Sequence, residues 1–157
     1  MDRLQFYLKK NVQKAIVDMA KGREVAVRYG DSFGKRPDVL LYDGDVFECA
    51  RRGATSFHLS EERWLDPLAV ETGMTRKKLD ELRVGWDLIL DIDSSFLEFS
   101  KQTALLLMEA LSFHNISNVG IKYSGNKGFH LIIPFEAFPP TVGGTEARLL
   151  FPEGPRM

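Results

Sequence analysis

The stretch that decides the fold runs from Trp86 to Pro134 and contains two marked segments, WDLILDIDSS at residues 86–95 and KYSGNKGFHLIIP at residues 122–134. Leu88, Ile89, Leu90 and Ile92 form an apolar run that leads into Asp91 and Asp93, which predicts a buried strand with acids at its C-terminal end. Successive side chains of a strand point to opposite faces, so Asp91 and Asp93 share one face and Ile92 takes the other. At a rise of roughly 3.3 Å per residue the two Cα atoms lie about 6–7 Å apart, where like charges repel unless a cation sits between them. Hard carboxylate oxygens without neighbouring Cys or His suit Mg²⁺ or Mn²⁺. Two such ions about 4 Å apart are the usual means of activating a 3′-hydroxyl while neutralising a triphosphate.

The second segment reads as an anion site. Val119–Tyr123 and Phe129–Ile133 look like strands, with Ser124, Gly125, Asn126, Lys127 and Gly128 as the turn between them. Gly125 and Gly128 permit positive φ and let backbone N–H groups approach an anion closely. Lys127 adds a point charge, Ser124 a hydroxyl and His130 an imidazole donor. Between the segments, Ser100 is a candidate N-cap for a helix with Ala104, Leu107, Met108 and Leu111 on one apolar face. Strand, helix and strand then form a βαβ-like unit, whose crossover would be right-handed if parallel. The acids sit at a strand's C-terminal edge, a usual place for ligands in open α/β sheets.

These two motifs, in this order and with a helix between them, resemble the archaeo-eukaryotic primase superfamily: the catalytic small subunit of DNA primase and its relatives, including the polymerase domains of bacterial end-joining ligases. The aspartate–any residue–aspartate motif is matched by Asp91 and Asp93. The serine, basic glycine turn and histidine are matched by Ser124, Gly125, Lys127, Gly128 and His130. Arg23 to Val27 resembles the arginine–glutamate strand start of the small subunits, and His58 to Pro67 resembles the segment that precedes their catalytic strand, so the resemblance covers most of the chain.

The resemblance implies an α/β (α+β) fold with a mixed β-sheet flanked by helices, primase-core-like around an RRM-like βαββ unit. It implies a DNA primase-like nucleotidyltransferase of archaeal type, acting in DNA replication or DNA repair. Asp91 and Asp93 would be the catalytic, metal-binding residues for Mg²⁺ or Mn²⁺, with a two-metal site in the complete enzyme. Ser124, Gly125, Lys127, Gly128 and His130 would bind the nucleotide triphosphate. Nucleoside triphosphates and a DNA template or primer would be its partners, along with a large primase subunit or a ligase or nuclease. The family's third acid, on a later strand, has no match up to Met157; Glu136 and Glu146 do not follow the hydrophobic strand it requires. The chain therefore reads as an N-terminal portion of a longer protein or as a short relative with impaired catalysis.

Two other functions remain open. A binding module of the same fold could hold nucleotide or nucleic-acid ends without catalysis. LILDIDSS also resembles the haloacid-dehalogenase phosphatase motif, in which the first aspartate is a nucleophile and the second an acid and base; that reading leaves SGNKGFH without a role.

The rest of the chain supplies context. Its 157 residues suit one domain, with residues 1–85 as an N-terminal part, 86–138 as the motif-bearing core and 139–157 as a loop-rich tail. Apolar content of 44% and charged content of 27% are those of a soluble globular protein, and a net charge of −1 leaves any DNA contact to local patches. The lack of a long apolar run and of a signal-like N-terminus predicts a cytoplasmic protein without a membrane partner. Cys49, the single cysteine, excludes an intramolecular disulfide and reads as a core residue.

The periodicity predicts a helix over residues 3–21 with Leu4, Leu8, Val12, Ala15, Ile16 and Met19 on one side and Lys9, Lys10 and Lys14 facing solvent. A strand is predicted over Glu24–Tyr29, and a hairpin about Asp43-Gly44 joining 39–42 to 46–49. Arg28, Arg51, Arg52 and His58 read either as structural or as site residues. Residues 61–64 and 68–82 carry short helical patterns broken by Pro67 and Gly73, and Arg148 to Phe151 resembles a short strand.

Overall fold

A computed structural model describes residues 2–156. The chain mixes helices with small antiparallel sheets and divides into two compact units, the first ending at Val84 and the second beginning at Gly85. No helix among the described residues is long and apolar enough to cross a membrane.

In the first unit, β1 (Val25–Tyr29) lies between β2 (Ser32–Phe33) and β3 (Ser56–Leu59), antiparallel to both. Val25, Ala26 and Val27 are all buried, so this strand is covered on both faces. Helices α1 (Arg3–Tyr7), α2 (Lys10–Ala20) and α3 (Asp43–Arg51) complete the unit. Val17, Ala20, Val25, Val27, Leu40, Val46 and Ala54 form its core, with Cys49 packed against it.

Three expectations change here. The predicted 3–21 helix breaks after Tyr7, because Lys9 is extended and the buried Gln13 side chain donates to the Tyr7 carbonyl at 2.8 Å, occupying an acceptor at the end of α1. Leu4, Leu8, Ala15 and Met19 are exposed, and α2 buries Gln13, Val17 and Ala20 instead. The hairpin about Asp43-Gly44 is instead helix α3. The Asp45 carboxylate accepts from the backbone N–H groups of Leu41 (2.8 Å) and Tyr42 (2.9 Å), and the acids of the first turn suit the positive end of a helix dipole. Residues 62–64 form strand β4 rather than a helical turn, whereas α4 (Arg76–Leu82) keeps the helical reading of that connector. Arg83, 3% exposed, pairs with Glu62 at 2.7 Å and with Asp80, and its guanidinium lies over the Trp64 ring. This network fixes the end of the connector, where β5 (Arg83–Trp86) starts.

The second unit is built on β6 (Leu88–Ile92), α5 (Leu97–Phe113), β7 (Gly120–Tyr123) and β8 (Phe129–Ile133). Strand order is β6-β8-β7, and β8 is antiparallel to both neighbours. The expected βαβ crossover therefore exists in split form: β6 and β7 run the same way, and β8 is inserted between them. Helix α5 starts at Leu97 behind Phe96, so Ser100 is not its N-cap; it lies fully buried within the first turns. The apolar face predicted for α5 is the face that packs: Ala104, Leu107, Met108 and Leu111 meet Leu90, Ile92, Phe129 and Leu131.

At the other end of the ladder, Trp86 is 3% exposed, donates its indole N–H to the Ala147 carbonyl at 2.9 Å, and lies against the rings of Phe135, Phe138 and Phe151. Gly85 makes room for this cluster, since a Cβ there would stand 2.6 Å from the Phe135 ring. The tail carries a hairpin of β9 (Thr141–Val142) and β10 (Thr145–Glu146) about Gly143-Gly144, both at positive φ. The strand expected near Arg148 is a 3₁₀ turn, Ala147–Leu150.

Candidate nucleotide and metal site

The register of the three-stranded sheet assembles the site. Asp91 is opposite His130, and His130 is opposite Lys122, so these three side chains form one row across β6, β8 and β7. Ile92, Phe129 and Leu131 point to the other face, beneath α5. Asp91 and Asp93 are exposed while the intervening Ile92 is buried, as alternation requires. The His130 Nε2 atom lies 3.3 Å from Asp91 Oδ1, a contact between two motifs separated by almost forty residues.

The glycine turn joins β7 to β8 and is closed on itself. Ser124 N–H donates to the Gly128 carbonyl at 2.9 Å, and Gly128 N–H donates to Ser124 Oγ at 3.1 Å. Tyr123 Oη donates to the Asn126 carbonyl, and Gly125 takes φ +99°, a conformation that favours glycine. Because Ser124 Oγ already accepts from Gly128, its own proton remains free to be donated. Among the described residues the amides of Gly125, Asn126 and Lys127 make no backbone hydrogen bond, so the turn presents donors of the kind that bind an anion.

Gly128 brings this turn against the acid-bearing strand. A Cβ at position 128 would lie 2.5 Å from the Ile92 carbonyl oxygen and 3.5 Å from Asp93 Oδ1, so only glycine lets the two segments meet so closely. Lys127 reaches over the junction and donates to the Ser95 carbonyl at 2.9 Å. Asp93, Ser94, Ser95, Asn126 and Lys127 together line an open depression of about 410 Å³.

All seven residues singled out in the sequence, Asp91, Asp93, Ser124, Gly125, Lys127, Gly128 and His130, thus lie on β6, on β8 or in the loops that follow β6 and β7 in one unit. Lys122 was missed. Its signal is the alternation Gly120, Lys122, Ser124 along β7 and into the turn that follows, which puts Lys122 on the same side as Ser124.

Of the other candidates, Arg28, Arg51 and His58 have partners in the first unit, whereas the Arg52 guanidinium has no hydrogen-bond or ion-pair partner among the described residues. Arg28 donates to the Gly30 carbonyl at 2.8 Å and lies near Asp31, and Arg51 pairs with Glu48 at 2.9 Å. His58 sits on β3 with Nε2 2.8 Å from Ser56 Oγ and its ring edge-on to Phe33.

Among the described residues no group of three or more His, Cys, Asp and Glu side chains is placed to hold a metal ion. The donors present fit a partial coordination sphere: two exposed carboxylates, neither in an ion pair with Lys or Arg among the described residues, on one sheet face beside a turn whose backbone amides are unengaged. That is the arrangement expected for Mg²⁺ or Mn²⁺ held by one or two carboxylates, water and substrate phosphates. No protein-family model matches the chain, and no curated protein matches it in sequence.

Proposed function

We propose that this protein is a primase-like nucleotidyltransferase whose second unit binds a nucleoside triphosphate with Mg²⁺ or Mn²⁺ for transfer to a hydroxyl on a DNA template or primer. The observation that carries the proposal is the sheet register, which sets His130 against Asp91 and clamps the 124–128 turn onto the end of the acid-bearing strand. Both motifs that resemble the archaeo-eukaryotic primase superfamily thereby contribute to one surface. The antiparallel pairing of β6 supports this reading over a haloacid-dehalogenase-like phosphatase, because it leaves the glycine turn a role beside the acids.

Asp91 and Asp93 would hold the divalent ion, which when bound supplies neutralisation of the phosphate oxygens. Ser124 Oγ–H, the amides of residues 125–127 and His130 would bind and orient the triphosphate. A hydroxyl oxygen would attack the α-phosphorus in line and lose its proton to solvent water, while the bond from that phosphorus to the bridging oxygen breaks and pyrophosphate leaves with the oxygen; positioning would supply much of the acceleration. A misplacement near 1 Å can cost about a hundredfold in rate, so two carboxylates without a further fixed acid should bind far better than they catalyse.

The expected result is Mn²⁺-supported binding of all four deoxynucleoside triphosphates to residues 1–157, with little primer synthesis on single-stranded DNA. Absence of triphosphate binding in the presence of Mn²⁺ would refute the proposal. Rapid synthesis by this chain would keep the activity but show that another residue, such as Glu136 or Glu146, completes the site.

A further inference from the structure

Resting on that reading, we infer that Lys122 is the phosphate-contacting cation of the site and that Lys127 is a positioning residue. Lys127 stands in the glycine turn and is the obvious charge for a phosphate. Its Nζ, however, donates to the Ser95 carbonyl at 2.9 Å, so it straps the loop that follows Asp93 to the turn. That strap holds the Asp93 segment in place, and its loss is felt first by the ion the acids hold.

Lys122 has a different setting. It is exposed on β7, in register with His130, and among the described residues no ion pair or hydrogen bond engages its ammonium group. Asp91, His130 and Lys122 therefore form a row of acid, imidazole and cation across the three strands. With neighbouring strands about 4.8 Å apart, the row spans roughly 10 Å. A triphosphate chain held beside Asp91 would reach along this row, past His130, to Lys122. The ammonium is a compact charge on a flexible stem, suited to following phosphate oxygens without reading a base. The ligand class is thus the phosphate chain of a nucleoside triphosphate, with no preference among bases arising from this contact.

The test compares the parent chain with Lys122→Gln, Lys122→Arg, Lys127→Ala and Lys127→Arg. Calorimetry would follow Mn²⁺ alone, then ATP, CTP, GTP and TTP at saturating Mn²⁺, then a single-stranded oligonucleotide without nucleotide. Lys122→Gln should bind each triphosphate about tenfold more weakly, as expected for loss of one charge-assisted hydrogen bond, and should bind Mn²⁺ alone as the parent does. Lys122→Arg should recover most of the loss. Lys127→Ala should weaken Mn²⁺ alone, with Lys127→Arg restoring it, a pattern that general destabilisation would not produce.

Equal triphosphate affinity in Lys122→Gln and the parent, while Asp91→Asn has lost it, would overturn the inference and leave the proposed function standing. So would a Lys122→Gln defect confined to the oligonucleotide. A parent that binds no triphosphate would instead remove the functional reading itself. Lys122 is exposed on an edge strand, and thermal unfolding of each variant separates binding effects from folding.

Discussion

Asp91→Asn and Asp93→Asn should each lower Mn²⁺ affinity by at least about tenfold, a change of about 1.4 kcal/mol in binding free energy. Asparagine keeps the shape of the side chain but removes the charge, so the loss measures electrostatics rather than packing. Both acids are exposed, and neither substitution should alter folding stability by more than about 0.5 kcal/mol. Asp91→Asn should also change the setting of His130, its cross-strand neighbour at 3.3 Å, whereas Asp93→Asn acts at the junction with Gly128. The double variant should retain no measurable metal binding at millimolar Mn²⁺. Unchanged calorimetric isotherms in both single variants would show that the paired carboxylates do not hold the ion.

Trp86→Ala should be among the most destabilising substitutions in the second unit, costing about 3–5 kcal/mol. The indole is 3% exposed among Phe135, Phe138 and Phe151, and its removal opens a cavity and leaves the Ala147 carbonyl without its donor. Trp86→Phe keeps much of the apolar contact and loses the hydrogen bond, so it should cost about 1 kcal/mol plus a packing penalty. Urea unfolding followed by far-UV circular dichroism checks both values. A loss below about 1 kcal/mol for Trp86→Ala would mean that this cluster does not anchor the unit.

The elements that carry the proposed site were legible because their sequence signals are local and unopposed. Short, largely apolar segments bounded by Asp93-Ser94 and by Gly125 to Gly128 marked β6, β7 and β8, and one apolar stripe marked α5. What could not be read was which strand neighbours which. The short turn makes β7 and β8 a hairpin, but only the tertiary fold inserts β8 beside β6 and thereby brings His130 to Asp91 and puts Lys122 in the same row.

Elsewhere, local signals competed and the weaker-looking one prevailed. Asp43-Gly44 has the chemistry of a type I′ turn, yet acids at a helix start and burial of Val46 and Ala50 one helical turn apart favour α3. The 3–21 periodicity continues through a break that depends on the Gln13 side chain reaching the Tyr7 carbonyl, which no apolar pattern encodes. Ser100 matches the preferred residue type for an N-cap, but it lies one turn inside α5, where burial against the sheet decides its place.

The most direct test of the central account is the linkage between metal and triphosphate in the parent chain. If Asp91, Asp93 and the 124–130 segment form one site, TTP should bind at least about tenfold more tightly with saturating Mn²⁺ than without it, and Mn²⁺ should bind more tightly with TTP by the same factor. Asp91→Asn should abolish that coupling. Equal TTP affinity with and without Mn²⁺ would contradict the account, because it would place the two ligands on independent surfaces.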